Sequence, residues 1–549
     1  MFSQISERYM HIVRYVLTIA WFILIVSLFY DPVSANLTET NAIFGSSVAD
    51  ACFEFQGQCQ PLTPYPIGAR IFWGMVVPSS ILILLIFGHE AWRRICPLSF
   101  LSQIPRALGI QKKRIVSENS WLHRNYLYLQ FGLLFLGLNI RLLLVNSDRF
   151  LLGLFLLLTI GSAIAVGFLY GGKTWCNYFC PMAPVQMIYS EPSGLLTSVA
   201  HTAPPRTITQ SMCRTTDNSR EKSACIACKS SCIDIDAEHS YWKGIERRDR
   251  QLVYYAYIGL AIGFYLYFGL YSGNWQLLSS GVWHETNQLK TLFAPGFYIN
   301  ELAIPIPKLI AVPLTLTVFS TATYFIGIWA EKKYQRYRKR IKKPLTLEQL
   351  RHHTFSVATF VAFNSLFFLG VRPTLGWLPG ILPNIITWMA IVASSLWLAK
   401  AMGRSIQKYS RERDGHLLRR QLSKLPIDLS EHLKGSIEEL NPDELSALAM
   451  VLPDFTSKYR LQMYKGMLYE AIQNKNVSVF SSCQEFRGLR QKLHINDSEH
   501  QMILEQLLLE HSELNAHVRR FHDDTVLRSP KPSCGEDLTI ISSRGKSHT

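Results

Sequence analysis

Seven of the eleven cysteines in this chain fall in three clusters: Cys96-Pro97, Cys176-x3-Cys180-Pro181, and Cys213 followed by Cys225-x2-Cys228-x3-Cys232. Short cysteine spacings and Cys-Pro ends are how thiolates are presented to an iron–sulfur cluster. The bacterial ferredoxin run is C-x2-C-x2-C-x3-C-P. Matched from its end, Ala224–Asp236 places Cys225, Cys228 and Cys232 on the last three ligands and Lys222 on the first. Matched from its start, Ser231 stands where the third ligand belongs. Either way one ligand is missing, and no proline follows Cys232. Cys213, twelve residues upstream of Cys225, is the nearest thiol that completes a set of four. Cys213, Cys225, Cys228 and Cys232 are therefore the candidate ligands of one [4Fe–4S] cluster. Tetrahedral structural zinc uses the same four thiolates and is the competing reading.

The other two elements form a second candidate site. Cys176 and Cys180 directly follow one apolar stretch, and Cys96 has the same position after an earlier one. Trp92 stands where the equivalent of Cys176 would be, so the two helix-pair units read as a worn duplication. Three thiols leave a second all-cysteine cluster one ligand short, with His89, His123 or a carboxylate as possible fourth ligands. Two other solutions stay open. Cys96-Pro97 can simply end a helix, and Cys176 and Cys180 can join two thiolates of the later run.

These cysteines must be held by membrane helices. Apolar residues make up 48% of the 549, charged residues only 17%, below the usual quarter for soluble proteins. Eight spans of about twenty residues are expected, at Ile12–Tyr30, Ile67–Phe87, Tyr126–Val145, Leu151–Tyr170, Val253–Tyr271, Leu309–Trp329, Phe355–Val371 and Leu382–Leu398. No small-residue cleavage site follows the first, so it reads as a span rather than a signal peptide. The fold class is thus an all-α polytopic membrane protein with a cytoplasmic iron–sulfur loop segment and a C-terminal soluble helical module.

Charge sets the expected orientation. The stretch Asp31 to Ala69 holds no Lys or Arg and four acids, whereas Lys332 to Lys343 holds eight basic residues in twelve. By the positive-inside rule both termini and all seven clustered cysteines face the cytoplasm. The net charge of +16 is accounted for by these loops, so nucleic acid is not an expected partner. Cys52 and Cys59 fall on the acidic, outer side, where a disulfide closing a short loop is expected.

The domain plan follows. Residues 1–172 carry helices 1–4, with an outer loop at 31–69 and an inner Cys-Pro loop at 88–124; 173–250 is a ferredoxin-like iron–sulfur segment; 251–400 carries helices 5–8. Residues 411–522 form the helical module, and 523–549 read as a disordered tail. Asn441-Pro442 reads as an N-cap with proline at the first helical position, and Ser498-x-x-Gln501 as a capping box. A faint internal echo links Leu440–Glu444 with Ile495–Glu499.

Other residues carry less. His11 sits at a helix edge and His89, His123, His239 and His284 in loops, so no haem b is expected. Arg141 lies inside the third span near its outer end, where snorkelling accounts for it ahead of a functional charge. Trp175, Tyr178 and Trp242 fit an interfacial aromatic belt. The run Lys332–Lys343 enforces topology or binds anionic lipid. No P-loop, Rossmann glycine pattern or hydrolase triad is present.

At the segments Cys176-Asn-Tyr-Phe-Cys180-Pro181-Met, Arg94-Ile-Cys96-Pro97-Leu98 and Cys225-Ile-Ala-Cys228, over about residues 70 to 250, the chain resembles the membrane-bound polyferredoxins of the NapH, NosR and CcoG type. The resemblance implies an inner-membrane protein of a bacterium that passes electrons between the quinone pool or a cytoplasmic donor and a partner complex, in respiration or metalloenzyme maturation. The chain departs from that pattern in the first loop, which lacks one cysteine, in the incomplete ferredoxin run, and in having no second run. An iron–sulfur redox or iron sensor signalling through the C-terminal module is the alternative.

Overall fold

The computed structural model describes residues 7–34, 52–61, 66–112, 119–145, 148–196, 214–217, 220–223, 236–273, 288–299, 302–378, 380–423, 457–473 and 482–511, with a few single positions between them. The chain divides into two compact units, one of Met1–Lys229 with Ala237–Ser405 and one of Ser230–Asp236 with Ile406–Thr549.

The first unit is all-α, with eight helices long and apolar enough to cross a membrane: Tyr9–Phe29, Ile67–His89, Trp121–Val145, Arg149–Leu169, Arg248–Ser272, Lys308–Arg340, Leu347–Val371 and Leu382–Met402. These are the eight expected segments, and their ends differ for local reasons. The third span starts at Trp121 because the Ser120 hydroxyl caps it, accepting from His123 N–H at 3.1 Å. The seventh starts at Leu347 because Thr346 caps it, accepting from Gln349 N–H at 3.3 Å. Polar first turns hide such starts from a hydropathy window. The sixth runs on to Arg340, since Glu, Lys, Gln and Arg keep a helix going after its apolar content ends.

The fifth span is the hub. Its apolar window is 67% buried, against 22–44% for the other seven. Packing against the sixth span is close enough for Gly259 N–H to donate to Thr323 Oγ1 at 3.0 Å. A Cβ on Gly259 would lie 2.0 Å from the Phe319 carbonyl oxygen. Small residues at such crossings let helix backbones meet in membranes.

Arg141 is half-buried. Its guanidinium lies between the Trp73 ring at 3.5 Å and the Phe264 ring at 4.5 Å, so aromatic faces inside the bundle stabilise the charge.

At the acidic end a hairpin pairs Cys52–Phe55 with Gln58–Pro61. Gln56 and Gly57 both take positive φ, 55° and 74°, the geometry of a tight hairpin turn. The hairpin docks on the fifth span: Gln56 N–H donates to Ser272 O at 2.8 Å, and Phe55 packs edge-on to Tyr271. Cys52 lies opposite Pro61, and Cys59 opposite Glu54. The two cysteines are thus diagonal neighbours on one face by register; their side chains lie outside those described.

The second unit buries Leu418, Leu445, Met467, Leu468, Leu489 and Leu504 in one core. The internal echo is structural. Asn441 N–H donates to Glu444 Oε2 at 2.8 Å and Glu444 N–H to Asn441 Oδ1 at 2.9 Å. Asn496 and Glu499 repeat the exchange at 2.9 and 2.8 Å. The expected box at Ser498 is therefore corrected: Asn496 is the cap, and the Ser498 hydroxyl donates to Asn496 Oδ1 at 2.6 Å.

Candidate functional site

Each Cys-Pro pair is a stop and a restart of the helix. Proline disfavours αR backbone for the residue before it and suits the first helical turn after it. Cys96 accordingly takes φ −61°, ψ 116° and Cys180 φ −63°, ψ 121°. Helices Pro97–Leu101 and Ala183–Ser190 follow. Eight residues before each cysteine a glycine takes positive φ, Gly88 at 69° and Gly172 at 65°. The two units thus share a backbone path as well as a sequence pattern.

They also exchange parts. The helix Pro97–Leu101 packs on the fourth span, and Ala183–Ser190 packs on the second. The break at Gly88 frees carbonyls of the second span, and Leu85 O and Ile86 O accept from Leu195 and Leu196 N–H at 2.9 and 2.6 Å. The end of the fourth span is treated alike: Phe168 O accepts from Lys112 N–H at 2.8 Å and Leu169 O from Arg114 N–H at 3.3 Å. Helix-end carbonyls need such partners when water is excluded.

This exchange brings Cys96, Cys176 and Cys180 together. Cys176 and Cys180 are buried and Cys96 is half-buried, among Trp175, Leu98, Ala163, Val166 and Met182. Burial first, then the neighbouring Cys176, pushes the Cys96 thiol up to about 11. The same causes push Cys180 higher still, and Arg93 opposes both only weakly. Burial thus holds Cys96 and Cys180 protonated at neutral pH.

Polar groups hold the backbone of this site. Arg93 Nη1 donates to Asn177 Oδ1 at 3.0 Å. Gln130 Nε2 donates to the Cys176 carbonyl at 3.4 Å. The Tyr178 hydroxyl meets His123 Nδ1 at 3.0 Å. Behind the site, Glu191 pairs with Arg250, and the Tyr254 hydroxyl donates to Glu191 Oε2 at 3.2 Å. Glu191 caps the Ala183–Ser190 helix, so this pair ties the post-Cys180 helix to the fifth span.

Several readings from the sequence need correction here. Arg93 and Arg94 fall in the basic loop that follows the second expected span, yet they are 4% and 2% exposed. Trp175, Tyr178 and Trp242 are buried at 7%, 0% and 4%, so they pack the interior rather than form an interfacial belt. The bonding roles of Arg93, Asn177, Gln130 and the Glu191–Arg250 pair are absent from the sequence reading; the only signal for the first two was their equal offset from Cys96 and Cys180.

Cys213, Cys225, Cys228 and Cys232 lie outside the described residues. Among the described residues, no group of three or more His, Cys, Asp and Glu side chains is spaced to hold a metal ion. Cys96, Cys176 and Cys180 thus share a site without forming a metal cage. The indole N–H groups of Trp92 and Trp175 are buried without a hydrogen-bond partner. In the second unit Cys483, which the cysteine reading left aside, is disulfide-bonded. No family model, no curated protein and no solved structure matches this chain.

Proposed function

We propose that this chain is a membrane-anchored iron–sulfur protein that passes single electrons to or from a partner at its basic, cytoplasmic face. Cys213, Cys225, Cys228 and Cys232 are the proposed ligands of one [4Fe–4S] cluster, which supplies one-electron chemistry when bound. The observation that supports this best is the pairing of the two Cys-Pro turns, which gathers three more thiols just past the second and fourth spans. A bacterial inner membrane, and a quinone or a redox protein as the exchanging partner, complete the proposal.

A redox-sensor reading is favoured by one observation. Asp236, four residues past Cys232 in the sequence, belongs to the same compact unit as the C-terminal helices. Within it the Tyr409 hydroxyl donates to Asp236 Oδ2 at 2.8 Å.

Anaerobic purification tests the proposal. Brown protein with stoichiometric iron and sulfide and an EPR signal after reduction is the expected result, lost in Cys225→Ser. Colourless protein holding stoichiometric zinc overturns both redox readings. The sensor reading further requires that reduction change proteolysis of residues 406–511, with electron transfer to an artificial acceptor spared when that part is deleted.

A further inference from the structure

The sixth span continues as one helix from Lys308 to Arg340. Its lipid-side residues Leu314, Val318, Phe325 and Trp329 are 45%, 54%, 62% and 55% exposed. At about 100° per residue, Lys332, Lys333, Arg336, Lys339 and Arg340 project from that same side, within roughly a third of the circumference. All five are exposed, and none has a carboxylate partner among the described residues. The opposite side is occupied: Glu331 accepts from Tyr255 and Arg351, and the Tyr334 hydroxyl meets His353 Nδ1 at 3.0 Å. Topology alone requires basic residues in this loop; it does not require them on one side of a helix.

We propose that this basic stripe is a binding surface for the headgroups of anionic phospholipids in the adjoining leaflet. Three observations select lipid over a soluble acidic protein. The stripe extends the lipid-facing side without a break. Lys332 to Arg340 covers about 12 Å of helix axis, and the headgroup layer is about 5–8 Å deep on each side. Lys332, Lys333 and Arg336 therefore lie within it, and longer side chains reach back toward it. Lys333 Nζ already lies 4.6 Å from the exposed Trp329 ring, and Arg336 Nε folds back to the Lys332 carbonyl at 3.4 Å. An aromatic residue with cations just beyond it matches the boundary between acyl chains and phosphates.

The full-length protein in nanodiscs of phosphatidylcholine alone, or with phosphatidylglycerol added, tests this by native mass spectrometry of retained lipid and by thermal unfolding. Phosphatidylglycerol is expected to be retained over phosphatidylcholine and to raise the unfolding temperature, both effects fading at 1 M salt as screening shortens. A charge-conserving variant, Arg336→Gln/Gln335→Arg with Arg340→Gln/Ile341→Arg, keeps the loop charge but moves two cations off the stripe. Its apparent affinity for phosphatidylglycerol is expected to fall by about fivefold or more. Equal retention of both lipids by the wild type, or unchanged preference in the variant, overturns the proposal. The first result would leave an acidic protein as the occupant of the stripe.

Discussion

Arg93 and Asn177 stand at equivalent positions of the two Cys-Pro units, 84 residues apart, and bond directly to each other at 3.0 Å. Each lies three residues before its unit's cysteine, so the contact joins the repeats near the point where they exchange helices. Both side chains are buried, 4% and 3% exposed. A buried donor–acceptor pair of this kind fixes register, because neither partner finds water if the units slip.

Arg93→Met is therefore expected to destabilise the membrane unit by about 2–3 kcal/mol, since the Asn177 amide and the Cys176 carbonyl lose a partner. Thermal unfolding in detergent measures this directly. Maleimide labelling of Cys176 and Cys180 should speed up in the same variant; unchanged labelling would show that the bond does not seal the thiols.

Gly259→Val places a branched side chain where a single Cβ already lies 2.0 Å from the Phe319 carbonyl. A loss of about 1–3 kcal/mol is expected from overpacking, read as a lower unfolding temperature. Gly132→Ala is the control, since its Cβ would meet nothing within 4 Å. There the helix should hold or gain up to about 1 kcal/mol.

Removing either reciprocal cap in the second unit, by Asn441→Ala or Asn496→Ala, should cost about 1 kcal/mol each. Hydrogen exchange of the full chain checks it: the backbone N–H of Glu444 or Glu499 should lose protection only in its own variant. Loss at both sites in one variant would mean that the two caps are a single cooperative feature.

His500 makes the second unit sensitive to acid. Its ring meets the Tyr464 hydroxyl at 2.6 Å and the Ser482 hydroxyl at 3.3 Å. Burial, then Arg490, lowers it to about 4 from 6.5, with Asp497 opposing. The folded state thus holds the ring neutral where the unfolded chain would bind a proton. Stability is complete above about pH 6.5 and is lost as the pH falls from there toward 4. Hydrogen exchange across 457–510 at pH 7.5 and 5 should show faster opening at pH 5, with a smaller pH effect in His500→Gln. Slower opening at pH 5 would reverse the sign and defeat the argument.

The sequence by itself determined the eight spans, the gathering of basic charge at one end and the likeness of the two Cys-Pro units. All three are local: hydropathy over twenty residues, charge beside a span, and the backbone rule a proline imposes on the cysteine before it. The paired caps at Asn441 and Asn496 were legible for the same reason, because a cap is made within four residues. Tertiary structure alone decided that the repeats exchange helices, that Arg93 bonds Asn177, and that Arg141 rests between Trp73 and Phe264. Those outcomes depend on partners tens to hundreds of residues away. A buried arginine and a loop arginine are the same letter until packing removes the water around one of them.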